Sequence, residues 1–367
     1  MKSPAHRFAW PLLLTLLSAC GGERGPAPAD SSMSSDAVAA APDPSRRSDA
    51  VAADPAFLLI AHRGASGHRP EHTLEAYALA VEMGADYIEP DLVITKDGVL
   101  VARHENEIGG TTDVEARFPE RRTTKVIDGD SVSGWFTEDF TLAELRTLRA
   151  RERLPELRST AYDGQFLVPT FDEVLALADS LGRARGRVVG VYPETKHPSY
   201  FRAIGLPLEA PLLAALDGIG WNRADAPVFI QSFEVGNLRA LSQQTRVRLI
   251  QLVAGGSPPD RAADASVPTY AELCTPEGLR ALAAYVAGIG AEKRLVIGAD
   301  GAETSLVPDA HAAGLKVHVW TIRAEAPFVG RSFGGDVAAE VRAFVAAGVD
   351  GVFSDQPDVV RGVVGGR

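Results

Sequence analysis

Short β-rich runs alternate with amphipathic helical patterns from residue 57 almost to the C-terminus, and this limits the fold more than any other feature. The strand-like runs are 57–61, 87–93, 99–104, 188–192, 228–231, 248–252, 285–289, 317–321 and 351–353. Between them lie helical patterns. In the first, Leu74, Tyr77, Ala78 and Val81 fall at i, i+3, i+4 and i+7. Others cover 142–150, 171–181, 208–216, 234–241, 277–284, 306–313 and 337–346. Eight strand–helix units over roughly 305 residues match the count and size of a (β/α)8 TIM barrel, an α/β fold. This barrel is assigned to residues 55–367. A doubly wound open sheet is the alternative, but no Gly-rich dinucleotide fingerprint follows the first strand. The stretch from about 105 to 170 is longer than one barrel unit requires. It predicts an inserted subdomain after the second strand region, on the catalytic face.

Polar residues gather at the predicted strand ends, where a barrel of this kind carries its active site. Leu58, Ile60 and His62 share one face by period two, so His62 and Arg63 stand at the mouth of the first strand. Glu89 and Asp91 are two apart and also share a face. His104 ends the next apolar run, and Glu194 and Lys196 repeat the two-residue spacing. Taken singly, each has an ordinary reading: a hydrogen-bonded histidine, solvated acids, a surface ion pair of little worth. Clustered at three strand ends they read as one site, because inward carboxylates are costly unless paired or metal-bound.

Composition narrows the chemistry. The net charge is −11, which argues against nucleic acid as a partner. An anionic ligand therefore needs a local positive site. Three carboxylates without cysteine suit a hard cation with oxygen ligands, Ca²⁺ or Mg²⁺. That cation, Arg63 and Lys196 suit a phosphate group. Two histidines suit paired acid and base work near neutral pH. The residues alone predict metal-assisted phosphoester cleavage.

The N-terminal segment reads as an address. Lys2 and Arg7 precede an apolar run from Phe8 to Leu17. A bilayer span takes about 20 apolar residues, and this run is roughly half that. Leu17-Ser18-Ala19-Cys20 has the pattern of a bacterial lipobox. Residues 1–19 are thus expected to be a lipoprotein signal peptide, and Cys20 the lipidated residue. Residues 20–54, rich in Ala, Pro and Ser, are expected to form a disordered tether. This predicts a bacterial cell-envelope protein, periplasmic or surface-facing, that meets the membrane only through its lipid. The chain's other cysteine, Cys274, then has no disulfide partner and is expected to be a small buried residue.

The same residues carry a family resemblance. His62-Arg63-Gly64, Pro70-Glu71-His72-Thr73, Gly84 through Leu92, Thr95-Lys96-Asp97-Gly98 and His104 resemble the glycerophosphodiester phosphodiesterases. Glu194-Thr195-Lys196, Gln231 through Glu234, Val319-Trp320-Thr321 and Gly351 through Asp355 resemble that family's later strand ends. The resemblance implies a barrel with an insertion, hydrolysing glycerophosphodiesters such as glycerophosphocholine and glycerophosphoethanolamine to sn-glycerol 3-phosphate and an alcohol. It implies His62 and His104 as catalysts and Glu89, Asp91 and Glu194 as ligands of one divalent cation. Arg63, Lys196, Gln231 and Trp320 become substrate-binding residues. In the periplasmic branch Ca²⁺ is favoured over Mg²⁺. Two departures stand out: Glu105 replaces the Asp that often follows the second histidine, and His72 replaces Asn in the Pro-Glu-Asn-Thr element. His68 and His72 are read as structural or surface residues. Two alternatives remain: a lysophospholipase D or sphingomyelinase D-like enzyme on the same barrel, and a non-catalytic ligand-binding surface lipoprotein.

Overall fold

The computed structural model describes residues 56–365, so the signal segment, Cys20 and the tether lie outside the described residues. Period-two alternation organises the first strand, β1 (Leu58–His62). Leu58 and Ile60 join an inner cluster with Tyr87, Tyr192, Phe229, Ile250 and Phe353. Leu59 and Ala61 join the larger outer core. His62, on the inner face, projects from the top of the inner cluster.

The next strands are β2 (Tyr87–Glu89), β3 (Asp91–Ile94) and β4 (Leu100–Ala102). A hairpin of β5 (Thr123–Ile127) and β6 (Asp130–Gly134) follows. Then come β7 (Gly190–Val191), β8 (Glu194–Thr195), β9 (Phe229–Ser232) and β10 (Arg248–Val253). The last are β11 (Gly288–Glu292), β12 (Lys316–Ile322) and β13 (Gly351–Ser354). Pro90 separates β2 from β3, and Pro193 separates β7 from β8, because proline lacks the N–H that a ladder needs. Their carbonyls still accept, from Glu194 and Gln231 at 2.9 Å each, so the rows run on.

β1 pairs in parallel with β2, β2 with β7, β3 with β8 and β8 with β9. The parallel series continues through β10, β11, β12 and β13, and β13 pairs back onto β1. The sheet curls round on itself in a TIM-barrel-like α/β fold.

Several expectations need correction. The run 99–104 is not a barrel strand: β4 turns back antiparallel on β3 through the tight Thr95–Gly98 turn. An antiparallel neighbour needs only a short connection, unlike a parallel one. His104 therefore stands two residues past a hairpin strand. The helical pattern at 142–150 forms only Leu142–Leu145, capped by Thr141 and Glu144. Beyond it Ala150 bridges to Thr112, so tertiary pairing overrides the helical pattern. The strand expected at 285–289 starts at Gly288, because Tyr285 and Val286 donate to the Leu282 carbonyl and finish the preceding turn. A C-terminal helix, Pro357–Val364, was not expected. Cys274 is half-buried, not fully buried. Helix 171–185 shows how local signals agree: Thr170 and Glu173 form a capping box, and Gly186 closes it in the left-handed region. Among the described residues no helix is long and apolar enough to cross a membrane.

Candidate active site

Strand register assembles the site. His62 lies opposite Glu89, Asp91 opposite Glu194, and Glu194 opposite Gln231. Paired positions on parallel strands point the same way about 5 Å apart. Residues far apart in sequence thus become side-by-side neighbours at the barrel mouth.

Glu89, Asp91 and Glu194 are all buried, and one oxygen from each lies within 4.8 Å of the others. Glu89 Oε2 accepts from the Arg63 backbone N–H at 2.8 Å, and Oε1 from Gln231 Nε2 at 3.1 Å. Burial and the charges of Asp91 and Glu194 push the Glu89 carboxyl well above the usual range. Burial, with Asp91 nearby, raises Glu194 to about 8 despite Lys196 Nζ at 2.8 Å. Burial also opposes ionisation of Asp91, but Lys196, His104 and His72 outweigh it and hold its carboxyl well below the usual range. Such a cluster is self-repelling, and a bound cation relieves that repulsion. Asp91 Oδ1 and Gln231 Oε1 are buried and accept no hydrogen bond among the described residues. All-oxygen donors with buried acceptors to spare fit a hard divalent cation.

The histidines stand in matching frames. His62 Nδ1 lies 2.6 Å from Asp355 Oδ1, and His104 Nδ1 bonds Glu105 Oε1. Burial opposes the charge on both acids. His62 with two arginines outweighs it for Asp355, and His104 with Arg153 does so for Glu105, so both stay ionised. An ionised carboxylate can only accept, so each imidazole carries its proton on Nδ1 and leaves Nε2 with a lone pair. Burial, then Arg63, lowers His62 to about 4; burial, then Arg63 and Lys196, lowers His104 to about 3. Without a bound phosphate, both therefore favour the neutral form at pH 7.

Each carboxylate is gripped in turn by an arginine from one loop. Arg158 Nη2 donates to Asp355 Oδ2 at 2.6 Å, and its Nε to Glu325 at 2.6 Å. Arg153 Nη2 donates to Glu105 at 2.7 Å and to Glu71 at 2.6 Å. Glu71 also accepts from Arg63 Nη1 at 3.1 Å.

The turn after β1 delivers Arg63. Arg63 has φ 61° and Gly64 φ 86°, both left-handed. A Cβ at position 64 would sit 2.7 Å from the Ala76 carbonyl carbon, so only glycine lets the turn pack on helix 74–82.

Of the residues singled out from sequence, His62, Arg63, Glu89, His104, Glu194, Gln231 and Trp320 line one pocket of about 110 Å³. Asp91 and Lys196 adjoin it through Arg63 at 3.4 Å and Glu194 at 2.8 Å. Trp320 anchors its indole on the Gly290 carbonyl at 2.9 Å. His68 pairs with Asp358 near the surface. His72 is fully buried, and its Nε2 meets Asp91 Oδ2 at 2.9 Å, so it supports a carboxylate of the cluster. Sequence reasoning missed Asp355, Arg153 and Arg158 as site residues. Asp355 ends a strand run, a signal that could have found it. The two arginines sit in an irregular loop and gave none.

A barrel mouth with two carboxylate-oriented histidines, a carboxylate triad and two adjoining cations defines a phosphodiester-cleaving enzyme. The chain belongs to the glycerophosphoryl diester phosphodiesterase family, whose sequence model matches residues 62–359. It is 35% identical to a glycerophosphodiester phosphodiesterase of Arabidopsis thaliana, over 81% of this chain and 82% of that protein. It is 29% identical to one from Haemophilus influenzae, over 82% and 88%. A crystal structure of a protein of this kind from Silicibacter pomeroyi superposes with TM-score 0.61 at 22% identity, covering 86% of this chain and 95% of that one. An Oleispira antarctica phosphodiesterase in complex with the product sn-glycerol-3-phosphate superposes with TM-score 0.58 at 21% identity, covering 84% and 96%.

Proposed function

We propose that the protein hydrolyses glycerophosphodiesters to sn-glycerol 3-phosphate and an alcohol, with a divalent cation and two histidines. The observation that carries this reading is the pair of histidines, each with Nδ1 on a carboxylate, that share one pocket with Glu89 and Glu194 of the carboxylate triad.

Glu89, Asp91 and Glu194 would hold the cation, with Ca²⁺ favoured over Mg²⁺ by the resemblance to the periplasmic branch. When bound, it supplies positive charge against the phosphate oxygens. Arg63 and Lys196 add fixed positive charge beside it. His104 Nε2 takes the proton from the glycerol 2-hydroxyl, and that oxygen attacks phosphorus. His62 enters this step as the imidazolium, its charge stabilised by Asp355 on Nδ1 and by the bound anionic phosphate, and gives its Nε2 proton to the departing alcohol oxygen; the water of the second step returns a proton to it. Water then opens the cyclic phosphate with the two roles exchanged. Gln231 holds Glu89 in place, and Trp320 forms the pocket wall.

Residues 105–170 act in this reading as an inserted subdomain over the catalytic face. The reach of Arg153 and Arg158 onto the histidine-bound carboxylates supports this. The lipobox pattern ending in Cys20 supports a lipid-anchored protein of the bacterial cell envelope. Replacing Cys20 by Ala should move the protein from the membrane fraction to the soluble fraction; unchanged fractionation would remove the anchor.

The activity is tested by glycerol 3-phosphate release from glycerophosphocholine and glycerophosphoethanolamine with Ca²⁺, with Mg²⁺ and with a chelator. Release should need the metal, and His62→Ala or His104→Ala should each cost about 10²–10⁴ in kcat. Near-normal release from either variant would sink the role given to that histidine.

A further inference from the structure

Beside the catalytic pocket lies a larger cavity of about 640 Å³, sharing Trp320, Thr321 and Arg323 with it. The inner pocket, about 110 Å³, has room for little beyond a phosphate and its glycerol. The part of a substrate that leaves must extend past Trp320 and Arg323. Arg323 Nε lies 2.9 Å from Asp355, the carboxylate that holds His62. The larger cavity thus opens on the side of the histidine that protonates the departing oxygen.

Its wall is chemically one-sided. Arg294, Arg323 and Arg331 all line it. Each of its two carboxylates is already bound to a cation. Glu340 is buried and accepts from Lys293 Nζ at 2.8 Å and from the Gly330 N–H at 2.9 Å. Glu292 accepts from Arg294 Nε at 2.9 Å. The Glu340 contacts pin Gly330, the residue before Arg331. Arg331 itself is exposed and, among the described residues, has no carboxylate partner. One aromatic face of the wall is already occupied by a cation. The Arg323 guanidinium covers Phe328 at 4.7 Å from the ring centre, and Trp320 forms a T-shaped pair with Phe233 at 5.7 Å. A cationic head group would meet guanidiniums here, and the one carboxylate oxygen of the wall that is buried without a partner, Glu340 Oε2, is out of reach.

Resting on the glycerophosphodiesterase reading above, we propose that this cavity is the leaving-group subsite and selects an alcohol that itself bears a phosphate or carboxylate. Arg331 is its principal recognition residue, since a guanidinium fork matches either anion.

The test compares three substrates with the metal-loaded enzyme, reading glycerol 3-phosphate: glycerophosphoinositol 4-phosphate, glycerophosphoinositol and glycerophosphocholine. The first two differ only by one phosphate on the leaving alcohol. The phosphorylated substrate should show kcat/KM about tenfold higher than its parent, mostly through KM. Glycerophosphocholine should be the poorest. Arg331→Gln should bring the ratio of the first two close to one, and raised salt should lower it. A wild-type ratio at or below one, or a ratio untouched by Arg331→Gln, overturns the subsite while glycerol 3-phosphate release still upholds the activity. No release from any of the three overturns the activity and the subsite together.

Discussion

Arg158 and Asp355 stand 197 positions apart in the chain and meet at 2.6 Å. The Arg158 side chain is 5% exposed and the Asp355 side chain 2%, so the pair is shielded from water. Asp355 spends its other oxygen on His62. A loop residue thus holds the carboxylate that sets the tautomer of a proposed catalyst.

Replacing Arg158 by Met should let Asp355 and Glu325 relax and His62 rotate. A lost charge-assisted bond between buried groups is worth about 1.5–3 kcal/mol, or roughly 10–100-fold in kcat. KM should move little, and Arg158→Lys should restore part of the loss by restoring the charge. Steady-state kinetics on the three proteins check this. An unchanged kcat in the Met variant would show that His62 is held without the arginine.

Arg153 has the corresponding task at His104, bridging Glu105 and Glu71. Its side chain is 29% exposed, so the loss in Arg153→Met should be smaller, at the low end of that range. Arg63 still pairs with Glu71 in the variant, so the protein should fold normally by circular dichroism. A larger loss than in the Arg158 variant would reverse this ranking of the two clamps.

Cation affinity should depend on pH in a defined direction. Glu194 is raised to about 8 before a cation binds, and it must ionise to act as a ligand. The folded protein therefore holds a proton between its ordinary carboxyl pKa and about 8, and cation binding expels it. Affinity should strengthen by at least about tenfold per pH unit from pH 6 to 8, because Glu89, also pushed up by burial, must ionise as well. Calorimetric titration in two buffers of different ionisation enthalpy counts the protons released. A pH-independent Kd would take Glu194 out of the ligand set. Glu89→Gln should weaken binding at every pH.

Gly64→Ala should destabilise the fold directly. The new Cβ meets helix 74–82 at 2.7 Å in a left-handed backbone. The φ penalty is about 1–2 kcal/mol, and the overlap adds about 1–3 kcal/mol. Chemical denaturation measures the loss; a change below about 1 kcal/mol would mean that the helix yields at little cost.

Much of this was legible in the chain because it depends on local periodicity. Alternation at two residues placed Leu58, Ile60 and His62 on one face of the first strand and Glu89 with Asp91 together on one face of the next run, and both placements follow from backbone pleating alone. The helix at Val337–Ala346 has the boundaries its pattern implies, because its apolar stripe faces the core it packs against. Other features needed the assembled molecule. The run ending at His104 looked like another barrel strand, and only pairing decided that it folds back on β3. The irregular loop bearing Arg153 and Arg158 has no period to read.

The sequence by itself determined which residues carry charge and which face of each strand they occupy. The tertiary structure alone decided that both histidines are held by carboxylates, and that one loop supplies an arginine to each, with Arg323 joining at Asp355. The reason is physical: periodicity acts over a few residues, whereas burial, which leaves Glu89 and Asp91 each 1% exposed, exists only once the barrel has formed around them.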